Sequence, residues 1–224
     1  REVLTAFPSA FAQARNVRMI GNPVRADIAA LPAPAQRFAG REGALRLLVV
    51  GGSLGAMRLN HAVPQAVALL ARSSALRFTI RHQSGEKHID AARAAYAQAD
   101  VQGDVAPFIA DMAEALGWAD LVLCRAGALT IAELAAAGVG AVLVPYPHAV
   151  DDHQTHNAQF LVDAGAAKLI ADAAVNAESL ASVLRELGGD RAALLAMAEA
   201  ARRVAKPAAA QQLLDACLAA EARA

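Results

Sequence analysis

The run Arg125-Ala126-Gly127-Ala128-Leu129-Thr130-Ile131-Ala132-Glu133 follows the apolar Leu121-Val122-Leu123-Cys124 and opens an alanine-rich helical pattern. It reads as a strand, a tight glycine turn and a helix N-terminus. Such a turn leaves backbone N–H groups without helical partners and aims the positive end of the helix dipole at whatever sits above the strand, typically a phosphate. Glu133 follows Thr130 by one turn, on nearly the same helical face. Thr130 can then meet a phosphate or sugar while Glu133 accepts hydrogen bonds from a polyol such as ribose. The competing reading is a capping box, with Thr130 as N-cap and Glu133 bonding back to it.

A second glycine turn, Gly51-Gly52-Ser53-Leu54-Gly55-Ala56, also lies between an apolar strand and a helix. Its backbone can approach a diphosphate closely, and Ser53 can donate its hydroxyl. The glycine spacing is not that of the dinucleotide fingerprint, and the next strand ends in Ile80-Arg81-His82-Gln83 with no carboxylate for a ribose. A Walker A loop is excluded because no Gly-Lys-Ser/Thr follows. After Pro145-Tyr146-Pro147 comes a polar cluster of His148, Asp151, Asp152, His153, Gln154, His156 and Asn157. Its chemistry fits three roles: a helix cap at Asp151 or Asp152 on a polar surface, a metal site using His153 and His156, or recognition of sugar hydroxyls. Asn22-Pro23-Val24-Arg25 is a rigid turn presenting one arginine, and His82-Gln83-Ser84-Gly85 ends a strand on the same rim as Ser53.

The elements that position these loops alternate. Strand-like runs at 47–50, 77–81, 101–106, 121–124, 141–144 and 168–170 are separated by helical patterns at 56–71, 86–98, 111–118, 129–137 and 152–164. That alternation predicts an α/β fold, a parallel sheet with helices on both faces, whose ligands collect beyond the carboxyl ends of the strands. Residues 26–45 read as a connection. After about residue 176 the pattern is helical, with Pro207 placed to open a last helix.

Over 224 residues, 56% are apolar, ample for a substantial core. The 21 basic and 21 acidic residues balance, so no global field draws nucleic acid or an anionic membrane. The basic bias of the first 46 residues reads as a solvated surface, since aromatic residues are scarce there. Two cysteines, Cys124 and Cys217, form no disulfide framework, which makes a reducing, cytoplasmic compartment the default. The longest uncharged apolar stretch is too short to span a bilayer. The chain opens on Arg1 without a methionine, and an N-terminal part is expected to precede it.

Five motifs, taken in order, resemble the MurG family. They are Gly21-Asn22-Pro23-Val24-Arg25, Gly51-Gly52-Ser53-Leu54-Gly55-Ala56, His82-Gln83-Ser84-Gly85, Phe108-Ile109-Ala110-Asp111-Met112 and Cys124-Arg125-Ala126-Gly127-Ala128-Leu129-Thr130. The likeness runs from residue 3 to at least 167. Members of that family are bacterial peptidoglycan glycosyltransferases that move N-acetylglucosamine from its UDP donor to the undecaprenyl-linked muramyl-pentapeptide lipid I, giving lipid II with inversion.

The resemblance implies a two-domain B-type fold, of which this chain supplies the Rossmann-like C-terminal donor domain. It divides the chain into 1–25, a remnant of the N-terminal domain and hinge; 26–205, the UDP-sugar-binding domain; and 206–224, a helix returning toward the N-terminal domain. It assigns the diphosphate to Ser53 and the backbone of Ala128, Leu129 and Thr130, the ribose to Glu133, and the uracil to the main chain of Ile109. Arg25 matches the hinge arginine near the donor. His153 and Gln154 fall where some members read the sugar with two glutamines, and Leu54 stands where many carry Gln.

The general base and the acceptor loops belong to the N-terminal domain, so no residue here is assigned as the base and the chain alone is expected to be inactive in transfer. No cofactor is implied, and without an Asp-x-Asp motif donor binding need not use a cation. The expected partners are UDP-N-acetylglucosamine, lipid I through the N-terminal domain, and the cytoplasmic face of the inner membrane as a peripheral site, with no nucleic acid. Two other classes stay open: another UDP-sugar transferase or an epimerase, and a non-catalytic UDP-sugar-binding module.

Overall fold

A computed structural model describes residues 2–8, 16–52 and 55–221. Strands β1 (Val3–Thr5) and β2 (Val17–Met19) pair in parallel as a small separate sheet. The main sheet holds β3 (Leu45–Val50), β4 (Phe78–Gln83), β5 (Asp104–Ala106), β6 (Leu121–Cys124), β7 (Gly140–Leu143) and β8 (Ala167–Leu169). Its order is β5-β4-β3-β6-β7-β8 with every neighbouring pair parallel. Counted from β3 this is the doubly wound 3-2-1-4-5-6 order, whose direction reverses between β3 and β6.

The helices are α1 (Ala26–Ala29), α2 (Pro34–Phe38), α3 (Met57–Ser73), α4 (Ile89–Gln98), α5 (Met112–Trp118), α6 (Ala128–Ala137), α7 (His153–Asp163), α8 (Ala177–Gly188), α9 (Arg191–Val204) and α10 (Ala209–Glu221). Period-two alternation along the strands sends side chains to two cores, one on each face of the sheet. Leu47 and Val49 of β3, with Leu121 and Leu123 of β6, pack against Leu59 and Val63 of α3 and Leu180 and Leu184 of α8. Leu48, Val122, Cys124 and Leu143 face the other way, onto Leu116 of α5, Ile131 and Leu134 of α6 and Leu161 of α7.

One line of register partners crosses the sheet through Ala106, Gln83, Val50, Cys124, Leu143 and Leu169. The segments that follow these residues therefore share one rim, with the two glycine turns side by side at the reversal point. Asp120, only 1% exposed, locks the opposite end of the same strand pair. Its Oδ2 accepts from the Arg46 N–H at 3.0 Å and its Oδ1 from Arg41 Nη1 at 2.6 Å.

The alternation read from the sequence matches these elements within a few residues. Two expectations are corrected. Residues 26–45 are not a bare connection, since they contain α1 and α2, held by distant contacts: Arg37 Nη2 donates to the Ala137 carbonyl at 2.7 Å and Arg202 Nη2 to the Leu31 carbonyl at 2.7 Å. Pro207 lies in the turn before α10, not in its first turn.

Candidate functional site

The turn after β6 is shaped by Gly127, the N-cap of α6, whose side chain is absent and which makes no side-chain cap. The first bond of the helix runs from the Ile131 N–H to the Gly127 carbonyl at 3.0 Å. Helix geometry then leaves the N–H groups of Ala128, Leu129 and Thr130 ahead of it without intrahelical partners, at the positive end of the dipole. This overturns the capping-box alternative. Thr130 is the third helical residue, not the N-cap, because the chain enters the helix at Gly127 with extended dihedrals.

Three carboxamides brace this turn. Asn22 Nδ2 donates to the Ala128 carbonyl and buried Asn157 Nδ2 to the Ala126 carbonyl, both at 3.2 Å. Gln154 Oε1 accepts from the Ala126 N–H at 3.2 Å and from the Tyr146 N–H at 2.9 Å, joining the turn after β6 to the loop after β7. With its oxygen committed twice, Gln154 has only N–H donors left to offer a ligand. His153 is exposed as the first residue of α7. Asp152 occupies the N-cap position of α7 but caps no backbone N–H, accepting instead from Thr155 Oγ1 at 2.7 Å.

Glu133 sits one turn into α6, its side chain 27% exposed. Arg25 Nε approaches its Oε1 at 3.9 Å, an ion pair without a hydrogen bond. Burial raises the Glu133 carboxyl above its ordinary value, Arg25 offsets part of this, and Asp27 adds to it. A half-buried carboxylate without a hydrogen-bond donor among the described residues has acceptor capacity to spare for a diol.

On the other side of the reversal point, Gln83 ties two loops together. Its main-chain carbonyl accepts from the Gly51 N–H at 3.0 Å, and its side-chain Oε1 accepts from the Ile109 N–H at 3.0 Å. The Ile109 N–H is thus occupied, and the carbonyl is the main-chain group it retains for a ligand. Ser53 and Leu54 lie outside the described residues. Gly55, at φ of +75°, has no room for a Cβ, which would run into the Ser84 carbonyl oxygen.

Beneath these loops runs a buried polar chain. Asn60 Nδ2 donates to the Ser84 carbonyl at 3.1 Å, so its Oδ1, 3.0 Å from His82 Nε2, is an acceptor. That fixes the proton on Nε2 and leaves Nδ1 to accept from the Tyr96 hydroxyl at 2.9 Å. Burial lowers the His82 pKa to about 4, so the ring is neutral. Arg125 is likewise structural, donating through Nη1 to Asp172 Oδ1 at 2.6 Å and to the carbonyls of Val144 and Pro145 at 3.2 Å. Burial pushes the Cys124 thiol up to about 12, which leaves it protonated and inert.

The structure thus brings Arg25, Ala128, Leu129, Thr130, Glu133, His153 and Gln154 around the end of β6, and Ile109 beside the end of β4. Asn22, Asn157 and Gln83 hold the site loops through bonds that the sequence does not reveal, because a carboxamide's partner is not legible without the fold.

Residues 46–213 match the model of the glycosyltransferase family 28 C-terminal domain. The chain belongs to that family. The family 28 relatives include a Marinobacter nauticus protein named UDP-N-acetylglucosamine--N-acetylmuramyl-(pentapeptide) pyrophosphoryl-undecaprenol N-acetylglucosamine transferase, 55% identical over 96% of this chain and 59% of its own length. One of the same name from Xanthomonas campestris pv. campestris is 57% identical over 96% of this chain and 49% of its own length. The crystal structure of Acinetobacter baumannii MurG superposes with a TM-score of 0.85 at 40% identity, over 96% of this chain and 59% of that one. The chain therefore spans about half to three-fifths of the length of these relatives. Among the described residues, no helix is long and apolar enough to cross a membrane, and no group of three His, Cys, Asp or Glu is placed to hold a metal ion.

Proposed function

We propose that this chain is the donor-binding part of a glycosyltransferase that moves N-acetylglucosamine from UDP-N-acetylglucosamine to lipid I, forming lipid II with inversion. The observation that carries the reading is the pairing of the uncapped α6 N-terminus with the Glu133 carboxylate one turn on, which carries no hydrogen bond from a described residue. That spacing suits a diphosphate joined to a ribose. The N–H groups of Ala128, Leu129 and Thr130, with Ser53 from the neighbouring turn, hold the diphosphate, and Arg25 adds positive charge near it. Glu133 accepts from the ribose hydroxyls, the Ile109 main chain meets the uracil, and Gln154 with His153 contacts the sugar.

In this reading an acceptor hydroxyl, deprotonated by a base outside this chain, attacks the anomeric carbon as the bond to UDP breaks. The negative charge that develops on the leaving diphosphate is stabilised by the α6 N–H groups, which are already oriented and cost no reorganisation. Lipid I places the intact enzyme at the inner face of the cell membrane, as a peripheral protein.

Calorimetric titration of the chain with UDP-N-acetylglucosamine, UDP, GDP and NAD, without added metal, tests the proposal. It expects heat from both uridine ligands and none from GDP or NAD. Equal binding of GDP, or none of UDP, overturns it.

A further inference from the structure

Asp172 is 9% exposed, at the start of the short turn Asp172–Ala174 that follows β8. Arginines from two other parts of the fold take its carboxylate oxygens. Oδ1 accepts from Arg125 Nη1 at 2.6 Å and Oδ2 from Arg58 Nε at 3.0 Å. Arg125 stands in the turn after β6, just ahead of the α6 N-cap Gly127, and its side chain is 18% exposed. Its Nη1 also donates to the Val144 and Pro145 carbonyls, so the link passes the end of β7 on its way to Asp172. Arg58 lies in the first turn of α3, which opens directly after Gly55 and Ala56 of the other glycine turn. It reaches Asp172 across 114 residues of sequence, with half of its side chain exposed. One buried carboxylate thus joins the approaches to both helix N-termini at the reversal point. Desolvation offsets much of the Coulomb gain of a buried ion pair, so this one is better explained by the geometry it imposes than by the stability it adds.

We propose that Asp172 is a positioning residue for the diphosphate, holding the N-termini of α6 and α3 at the separation that the ligand needs. The inference rests on the uridine-donor reading above. Preset N–H donors stabilise a diphosphate only while their geometry holds, and two turns that drift independently lose it. Asp172 itself lends the ligand no attraction, because its charge repels an anion. The sign of the effect therefore separates two roles. If charge alone matters, removing the carboxylate tightens UDP; if positioning matters, removing it weakens UDP.

The test compares the unaltered chain, Asp172→Ala, Arg58→Met and the double variant. Each is titrated with UDP by calorimetry and with uridine by NMR, in about 0.15 M salt to screen the exposed Arg58 charge, and thermal melts establish folding. The proposal expects Asp172→Ala to lose about tenfold in UDP affinity and Arg58→Met about threefold, while both keep their affinity for uridine. The double variant should bind UDP no more weakly than Asp172→Ala, since the Arg58 link is already gone there. Tighter or unchanged UDP binding in folded Asp172→Ala, equal losses for UDP and uridine, or losses that add in the double variant each overturn it. Should Asp172→Ala fail to fold, the half-exposed Arg58 decides: unchanged UDP affinity in Arg58→Met overturns the proposal. If the unaltered chain binds no UDP, the donor reading falls and this inference with it. UDP binding without a diphosphate-selective loss in the variants removes this inference alone.

Discussion

The Asn22 carboxamide and the Ala128 carbonyl are joined by a hydrogen bond of 3.2 Å across 106 residues of sequence. The turn that presents Arg25 is therefore fastened to the first residue of α6, beside the Arg25–Glu133 ion pair that joins the same two parts of the candidate donor site. Asn22→Ala should weaken UDP binding several-fold while lowering stability by only about 1 kcal/mol. Calorimetry beside urea unfolding checks this, and unchanged affinity in the folded variant would remove Asn22 from a positioning role.

Glu133→Ala should cost about 1.5 to 3 kcal/mol of UDP binding, the range for a charged hydrogen-bond acceptor. Because burial holds this carboxyl above its ordinary value, a diol that prefers the carboxylate should bind more tightly as pH rises through that raised value. Stability moves the other way: the native state is favoured below the ordinary carboxylate range, and the margin is lost as pH rises through the raised value. Glu133→Gln should flatten both profiles.

Gln154 separates anchoring from recognition. Gln154→Glu retains an acceptor for Ala126 and Tyr146 but removes the amide donors, so it should weaken UDP-N-acetylglucosamine while sparing UDP. Gln154→Ala should weaken both, the sugar nucleotide more. Equal losses for the two ligands in the Glu variant would place Gln154 outside the sugar site.

His82 predicts an acid sensitivity. The unfolded chain takes up its proton near 6.5, whereas the native chain resists until about 4. Stability contributed by the neutral ring is therefore constant above pH 6.5 and declines as pH falls from there to about 4. A His82→Gln variant should lose this slope and be less stable at pH 7 by about 1 to 3 kcal/mol, since Tyr96 and Asn60 lose well-placed partners. Denaturant titrations at several pH values measure both effects.

The strands were legible because parallel, doubly buried β-segments read as short apolar runs, and β6 was bounded correctly at Leu121 and Cys124. What escaped was set by long-range contacts. Helices α1 and α2 are too short to show periodicity, and they are fastened by arginines, Arg37 and Arg202, whose partners lie far off in sequence. β1 and β2 are three residues each, with no alternation to detect. In the site, the α6 N-terminus and Glu133 could be inferred from local order. The commitment of the Ile109 N–H to Gln83, and of the Gln154 oxygen to two loops, could not, because a carboxamide has four possible bonds and only the fold chooses among them.

The β3–β6 pairing also sets a schedule. Arg46 and Asp120 stand 74 residues apart, so one edge of the central strand has no neighbour until that much more chain has been made. At the usual pace of translation the wait is roughly 4 to 15 s. Throughout it, Leu47, Leu48 and Val49 belong to an open, apolar strand edge, the kind of surface that nascent-chain chaperones engage and that aggregates when they are scarce.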